Sequence, residues 1–431
     1  MLRLSRKSTL LSVCAAGAML AGMATAAQAQ VNIFGGGSTL ASIVYPQEFG
    51  LYSALQAPLT TFHYTADGSG AGQSAFLTNN PSTHGFPAGT TIAFGASDAT
   101  LSTTQINNFN ADAVNGSPVT GPLIQIPTFA TPVTVAFNTK QAANGQIQFT
   151  DAQLCGIFSG KITTWNDAAL GGGVLYNAAT NPSGVATRGT PPTGTIFVKY
   201  RSDGSGTTFL LTQHLAAVCN ASNSNITFTA NKAFANLFPG ATPPANFAGA
   251  SGSQSVSTAI SGTPNSLGYL SPDFTRIASA NAGITTFPLV ASVKNGPSYL
   301  LPTFANTSLA LANVLVPSSK ADISDPTKFV PAAAVPTSGY PIAGFTSMIL
   351  GQCYKDNNVG NELFNFLLTY YGGGQYADNL NRAGFALLPA TLAQAITDNL
   401  LNNNNGFNLD IQDIAVCQAA GASGAGTFAG R

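Results

Sequence analysis

The sequence predicts an α/β protein, on three observations. Short β-like runs end in small-residue turns and pass into helical spacing, and this unit recurs along the chain. Hydrophobic residues make up 45% of the 431, enough to build a sizeable core and too many for a wholly disordered chain. The 45 Gly and 25 Pro call for many turns between short elements.

Residues 1–29 stand apart from this pattern. Arg3, Arg6 and Lys7 precede an apolar run from Leu10 to about Thr25, and Ala27-Gln28-Ala29 has the small-x-small form that a signal peptidase cuts after. The segment reads as a removed secretory signal; against an uncleaved anchor, the run is rich in Ala and Gly and short for a spanning helix. Val13, before Cys14, stands where a lipoprotein signal wants a small residue, which speaks against lipidation. No later stretch approaches 18 apolar residues, so the mature chain is expected to be soluble.

The mature elements follow in order. Val31–Phe34 is a short strand ending in Gly35-Gly36-Gly37-Ser38, after which Leu40, Ile43 and Val44 repeat at helical spacing. Residues 61–65 and 91–95 are β-like and run into Asp67-Gly68-Ser69-Gly70 and Gly95-Ala96-Ser97-Asp98. Val133–Asn138 is a further strand, Thr150–Phe158 a helix capped by Thr150 or Asp151, and Ile196–Tyr200 a strand leading to Arg201. Phe209, Leu210, Leu215 and Val218 mark an amphipathic helix over Thr207–Val218. Residues 171–195 and 239–253 read as surface loops, and 317–340 as a proline-rich connection. Leu363–Tyr371 and Thr391–Leu401 read as helices, and residues 418–431 as a flexible tail of mostly Ala and Gly.

Charge narrows the partners. Lys plus Arg number 16 and Asp plus Glu 16, so charged residues are 7% of the chain, where soluble domains carry about 25%. No basic cluster exists to neutralise a row of phosphates, which excludes nucleic acid. Removing the three basic residues of the signal leaves 13 basic against 16 acidic residues, a net −3, so an anion is not gathered by net charge. Four cysteines remain, Cys155, Cys219, Cys353 and Cys417, an even number in an exported chain and hence two disulfides among three possible connectivities. Pairing of sequence neighbours is expected if each bond stays inside one lobe. With no Cys-x-x-Cys, and with His63, His84 and His214 scattered, neither a metal nor a cofactor is expected.

The chemistry concentrates in the small-residue turns. Ser38-Thr39, Ser69 and Ser205-Gly206-Thr207 each stand at an expected helix start, where the first backbone N–H groups lack intrahelical partners and the dipole is positive. Convergent, three such turns make an anion cage; singly, each is ordinary capping. Arg201-Ser202-Asp203-Gly204-Ser205-Gly206-Thr207-Thr208 adds a planar, always charged donor four residues before a glycine-bearing helix start, with Arg201 paired to Asp203 in a surface turn as the bland alternative. Other chemistries fit poorly. No P-loop lysine follows these glycines, the Gly-x-Ser-x-Gly elbow is absent, and three histidines and two glutamates, Glu48 and Glu362, leave little for a triad or a glutamate pair. Trp165, the single tryptophan, reads as a packing residue.

Gly37-Ser38-Thr39-Leu40, Gly68-Ser69-Gly70, Phe94-Gly95-Ala96-Ser97-Asp98, the run Ile157 to Asp167 and the run Arg201 to Thr208 resemble, in this order, the periplasmic phosphate-binding proteins of ABC importers. Leu154-Cys155-Gly156, Ser271-Pro272-Asp273-Phe274, Ser338-Gly339-Tyr340-Pro341-Ile342 and Gln352-Cys353-Tyr354 look like the DING subgroup. Two departures are visible: Val31-Asn32-Ile33-Phe34 replaces the subgroup's Asp-Ile-Asn-Gly start, and Asp203-Gly204 replaces its usual Glu-Ser.

The resemblance implies a two-lobed, type II periplasmic-binding-protein fold with the anion in the cleft and two hinge crossings, near Pro127–Phe129 and Tyr340-Pro341. Lobe one would be residues 30–127 plus 341–417 and lobe two residues 128–340, which keeps each neighbour-paired disulfide inside one lobe. The implied phosphate ligands are Thr39, Leu40 through its backbone N–H, Ser69, Asp98, Arg201, Ser205, Gly206 and Thr207, with Asp203 orienting Arg201. Asp98 would select the anion, since a carboxylate only accepts and therefore favours an oxyanion that still carries a proton; hydrogen phosphate does and sulfate does not. The implied protein is a monomeric receptor, periplasmic or extracellular, for uptake through an ABC-type permease or for scavenging. The alternative is a secreted phosphomonoesterase, disfavoured because no activating base is evident beside the hydroxyls.

Overall fold

Two long apolar runs organise the molecule. The strands Leu123–Pro132 and Ala343–Gly351 are buried along their whole length and pair antiparallel, residue for residue apart from one bulge. Neither shows the alternation of a half-buried strand, because both faces of their sheet are covered. A computed structural model describes residues 30–55, 60–111, 123–139, 147–170, 193–331 and 333–419.

The first sheet runs in the order Thr60–Thr65, Val31–Gly37, Ile92–Ser97, Ala343–Gly351, Leu123–Pro132, its first three strands parallel. The second runs Leu289–Val290, Thr134–Asn138, Ser266–Leu270, Phe197–Arg201, Phe247–Ala250. A small third sheet joins Ser298–Leu300, Ser292–Asn295 and Gln148–Phe149. Parallel strands need helical crossovers, and the helices Val44–Leu55, Ser69–Thr78, Gly206–Val218 and Gly252–Gly262 supply them.

Each five-stranded sheet has its own core. Ile33, Tyr45, Phe94, Phe129, Met348, Phe366 and Ile396 belong to the first, and Val135, Phe158, Trp165, Val198, Leu211 and Tyr269 to the second. The chain leaves the first sheet at Pro132 and enters the second at Thr134, with Val133 alone between them, and it returns through Tyr340 to Ala343. Val133 N donates to Ile342 O at 2.8 Å and Tyr340 Oη to Val133 O at 3.0 Å, so the two crossings lie side by side. The segment Pro127–Phe129 thus lies inside a strand of the first sheet. Ala310, Leu311, Ile323, Phe329 and Val330 also pack into the first core, because the helix Phe304–Leu311 lies against its strands. The sequence division had carried them with the second.

Most local expectations match. The helix Asp151–Phe158 is capped by Thr150, with Gln153 closing a capping box, and Trp165 is buried in packing with its Nε1 donating to Asn265 O at 2.9 Å. The cysteines pair as neighbours, Cys155 with Cys219 and Cys353 with Cys417. Residues 239–253 are more structured than a loop, since Phe247–Ala250 is an edge strand and Gly252 opens a helix. The expected helix Thr391–Leu401 is α-helical as Ala390–Ile396 and then widens into a π-turn over Thr397–Leu401. The helix Ile414–Ala419 overlaps the start of the expected tail. The expected signal at residues 1–29, most of the expected 171–195 loop and residues 420–431 lie outside the described residues. Among those described, no helix is long and apolar enough to cross a membrane.

Candidate functional site

The strand ends of the two sheets meet. On the first, Val31–Gly37 turns at Gly37 (φ 136°), where a Cβ would stand 2.1 Å from Ala96 O and 2.8 Å from Gly72 Cα, so only glycine lets the three turns close together. Ser38 follows as the cap of a short helical turn, its Oγ accepting from Leu40 N at 3.1 Å. Gly68 N donates to Gly37 O at 2.7 Å, tying the second turn to the first and setting Ser69 at the start of its helix.

Asp98 lies at the end of Ile92–Ser97, 4% exposed, at the centre of these turns. Ser38 Oγ donates to both carboxylate oxygens at 2.7 Å, Thr346 Oγ1 to Oδ1 at 2.9 Å, and Ser69 Oγ to Oδ2 at 3.3 Å. Burial pushes the carboxyl up to about 6, against the pull of these hydroxyls and of the Arg201 charge.

The second sheet answers with the opposite chemistry. Arg201 ends Phe197–Arg201 and is 2% exposed. Its Nε donates to Asp203 Oδ1 at 2.7 Å, its Nη2 to Asp203 Oδ2, and its Nη1 to Ser253 Oγ at 3.2 Å. Three of the five guanidinium N–H groups are thereby engaged and two remain. Asp203 also accepts from Gly252 N at 2.9 Å; burial alone would raise this carboxyl, but the Arg201 bonds and charge hold it below the ordinary range. Ser205 caps the helix Gly206–Val218 by accepting from Thr208 N at 3.1 Å, and Thr207 Oγ1 is buried with no partner.

Contacts cross between the two sides. Thr39 Oγ1 and Ser253 Oγ are 2.9 Å apart, Gly70 N donates to Gly204 O at 2.7 Å, and Lys232 Nζ donates to Gln73 Oε1. A Cβ on Gly206 would stand 2.4 Å from Ser69 Oγ and 2.5 Å from Asp98 Oδ2. Thr39, Leu40, Ser69, Asp98, Arg201, Ser205, Gly206 and Thr207, far apart in the chain, therefore gather along one seam, with Asp203 behind Arg201 as expected. Leu40 differs in one respect: its N–H is engaged by Ser38 Oγ.

Three partners escaped the sequence reading as members of the site. Ser38 was seen as a turn residue and proves the closest donor to Asp98. Thr346 sits mid-strand with nothing local to mark it. Ser253 joins Thr39 to Arg201 and could have been found from Ser251-Gly252-Ser253 ahead of Val256 and Ile260, a helix start with i, i+4 apolar spacing. Among the described residues no three His, Cys, Asp or Glu gather as a metal site.

Known proteins share this arrangement. The family model of the PBP superfamily domain matches residues 24–370. The chain is 35% identical over 391 residues to alkaline phosphatase L of Pseudomonas aeruginosa, covering 90% of this chain and 93% of that protein. A high-affinity periplasmic phosphate-binding protein, PfluDING, solved with phosphate bound, superposes with TM-score 0.74 at 30% identity, over 91% of this chain and all of its own. A phosphate-binding protein of Stenotrophomonas maltophilia gives TM-score 0.70 at 30% identity, covering 90% and 98%. The strand-end seam, the fold and the match over most of its length make the chain a member of the PBP superfamily, alongside the DING-type phosphate-binding proteins.

Proposed function

We propose that this chain is an exported receptor that binds inorganic phosphate, as hydrogen phosphate, in the seam between its two lobes. The observation that carries the reading is the opposition of a buried acceptor, Asp98, to a buried cation, Arg201, with the unpartnered hydroxyl of Thr207 and the start of the Gly206–Val218 helix beside them. The free guanidinium N–H groups and the helix N-terminus would hold the oxyanion, and Asp98, ionised above about pH 6, would accept its proton. Sulfate offers Asp98 no proton and meets its charge. Lobe one is residues 30–132 plus 343–417 and lobe two residues 134–340, joined through Val133 and Pro341-Ile342, with the 304–330 segment packed onto lobe one. The receptor acts as a monomer, in the periplasm or outside the cell, and passes phosphate to an ABC-type permease or retains it. Calorimetry with phosphate, arsenate and sulfate tests the proposal: phosphate and arsenate bind and sulfate does not.

The relative named alkaline phosphatase L supports a second reading, phosphomonoester hydrolysis. The cage hydroxyls of Thr39, Ser69, Ser205 and Thr207 would offer its nucleophile, yet among the described residues no histidine ring bonds any of them: His84 Nδ1 meets Asp67 Oδ2 at 2.6 Å and its Nε2 is buried without a hydrogen-bond partner. The contact of Gly206 with Ser69 and Asp98 also favours an anion without an organic substituent. Product release from p-nitrophenyl phosphate by the purified protein, abolished by Ser205→Ala, would establish the enzyme; no release leaves the receptor.

A further inference from the structure

Ser271-Pro272-Asp273-Phe274 takes no part in the phosphate cage, yet it holds a buried carboxyl. Asp273 is 1% exposed; Ser271 Oγ donates to its Oδ1, while Oδ2 is buried with no hydrogen-bond partner. A buried acceptor left unpaired is costly, so the position calls for a partner. Asp273 lines a cavity of about 140 Å³, close to the 150 Å³ or so that admits one benzene-sized molecule.

The walls come from both sides of the seam. Gln47, Asn379 and Arg382 belong to the segments packed on the first sheet, and Asp273 and Asn281 to those on the second. Where the sides touch, a Cβ on Gly384 would stand 2.7 Å from Pro272 Cβ. Arg382 is exposed, and among the described residues its guanidinium forms no ion pair. One wall therefore carries a carboxyl residue and the other an arginine, with amides between them and Ile43, Ala278, Ala280 and Ala383 as apolar wall.

We propose that this cavity is a second binding site, distinct from the phosphate cage, for a small zwitterion of the α-amino-acid type. Its ammonium group would bond Asp273 Oδ2, its carboxylate would bond Arg382, and its side chain would lie against Ile43 and the alanines. A carboxylate alone leaves Asp273 unpaired, and an ammonium alone meets Arg382 uncompensated, so recognition requires both charges on one small molecule. Burial holds the Asp273 carboxyl well above its ordinary value, and the Asp98 charge adds to the shift. Asp273 therefore favours its protonated form, and an ammonium bonding it would displace that proton to solvent. Because the walls come from both lobes, the zwitterion would bind the closed form, and phosphate and zwitterion would each tighten the other by the same factor.

Calorimetry on the full mature chain tests this with L-alanine and L-valine, and with acetate and methylammonium as half-ligands. The expected result is binding of the amino acids alone, accompanied by proton release visible as a dependence of the heat on the buffer. It should be lost in Asp273→Asn and weakened at least tenfold in Arg382→Ala, both of which keep phosphate binding as proof of their fold. Absence of amino-acid binding up to about 10 mM, which corresponds to affinity weaker than about 3 kcal/mol, overturns the proposal. So does equal binding of acetate or methylammonium, or binding that survives both substitutions. Should Asp273→Asn fail to fold, Arg382→Ala, on the exposed rim, decides alone.

Discussion

The two sides of the seam are opposite in chemistry and alike in construction. The first sheet presents an acceptor, Asp98, among the hydroxyls of Ser38, Ser69 and Thr346. The second presents a donor, Arg201, locked by Asp203 and Ser253, beside the helix start at Ser205. In both, the deciding charge sits at a strand end and is held by groups brought from elsewhere in the chain. In the proposed receptor one side alone makes half a site. The first would repel a dianion, and the second would bind any oxyanion without choosing; affinity would come from the second side and selection from the first.

Substitutions on either side should therefore fail differently. Arg201→Ala removes the counter-charge and should weaken phosphate, arsenate and any residual sulfate binding together. The loss should reach about 10- to 100-fold or more, since hydrogen bonds to charged groups contribute about 1.5 to 3 kcal/mol. Loss of one anion alone would mean that Arg201 also discriminates. Gly206→Ala attacks the meeting of the sides: a Cβ 2.4 Å from Ser69 Oγ and 2.5 Å from Asp98 Oδ2 forces them apart. Overpacking of this kind costs about 1 to 3 kcal/mol, so phosphate affinity measured by calorimetry should drop.

Proton titration sharpens the contrast. The Asp98 carboxyl stands at about 6 in the folded protein against 3.8 ordinarily. A group raised on folding contributes stability that is full below the unfolded value and lost as pH rises through the folded one. Asp98→Asn should therefore gain stability relative to the parent between about pH 4 and 7, by up to about 3 kcal/mol in urea unfolding without phosphate. A constant difference across that range would mean Asp98 is not the titrating group. The smallest effect on binding should come from the disulfides, each confined to one side. Replacing Cys155 and Cys219 by serine should cost about 2 to 4 kcal/mol of stability and leave phosphate affinity unchanged.

How far the sequence reaches depends on whether a residue's role is local. The turns at Ser38, Ser69 and Ser205 were legible because glycine spacing and capping are properties of a few consecutive residues. Arg201 and Asp203 were legible for the same reason, lying two apart. Thr346 was not: it sits in a strand buried on both faces, where no alternation marks which side chain points at Asp98. Both crossings were placed only through the family resemblance, and the second, near Tyr340-Pro341, lies where the chain returns to the first sheet at Ala343. The first falls at Val133, because Leu123–Pro132 continues its pairing with Ala343–Gly351 to its last residue. That long-range register is invisible to a local reading.

The central claim, that Asp98 reads the proton on the anion while Arg201 supplies the charge, is tested most directly by titrating phosphate and sulfate into Asp98→Asn and the parent protein. The substitution keeps the shape, removes the negative charge and adds an amide donor. Sulfate affinity should rise relative to phosphate by at least tenfold. An unchanged phosphate-to-sulfate ratio would contradict the account, since Asp98 would then not face the bound anion.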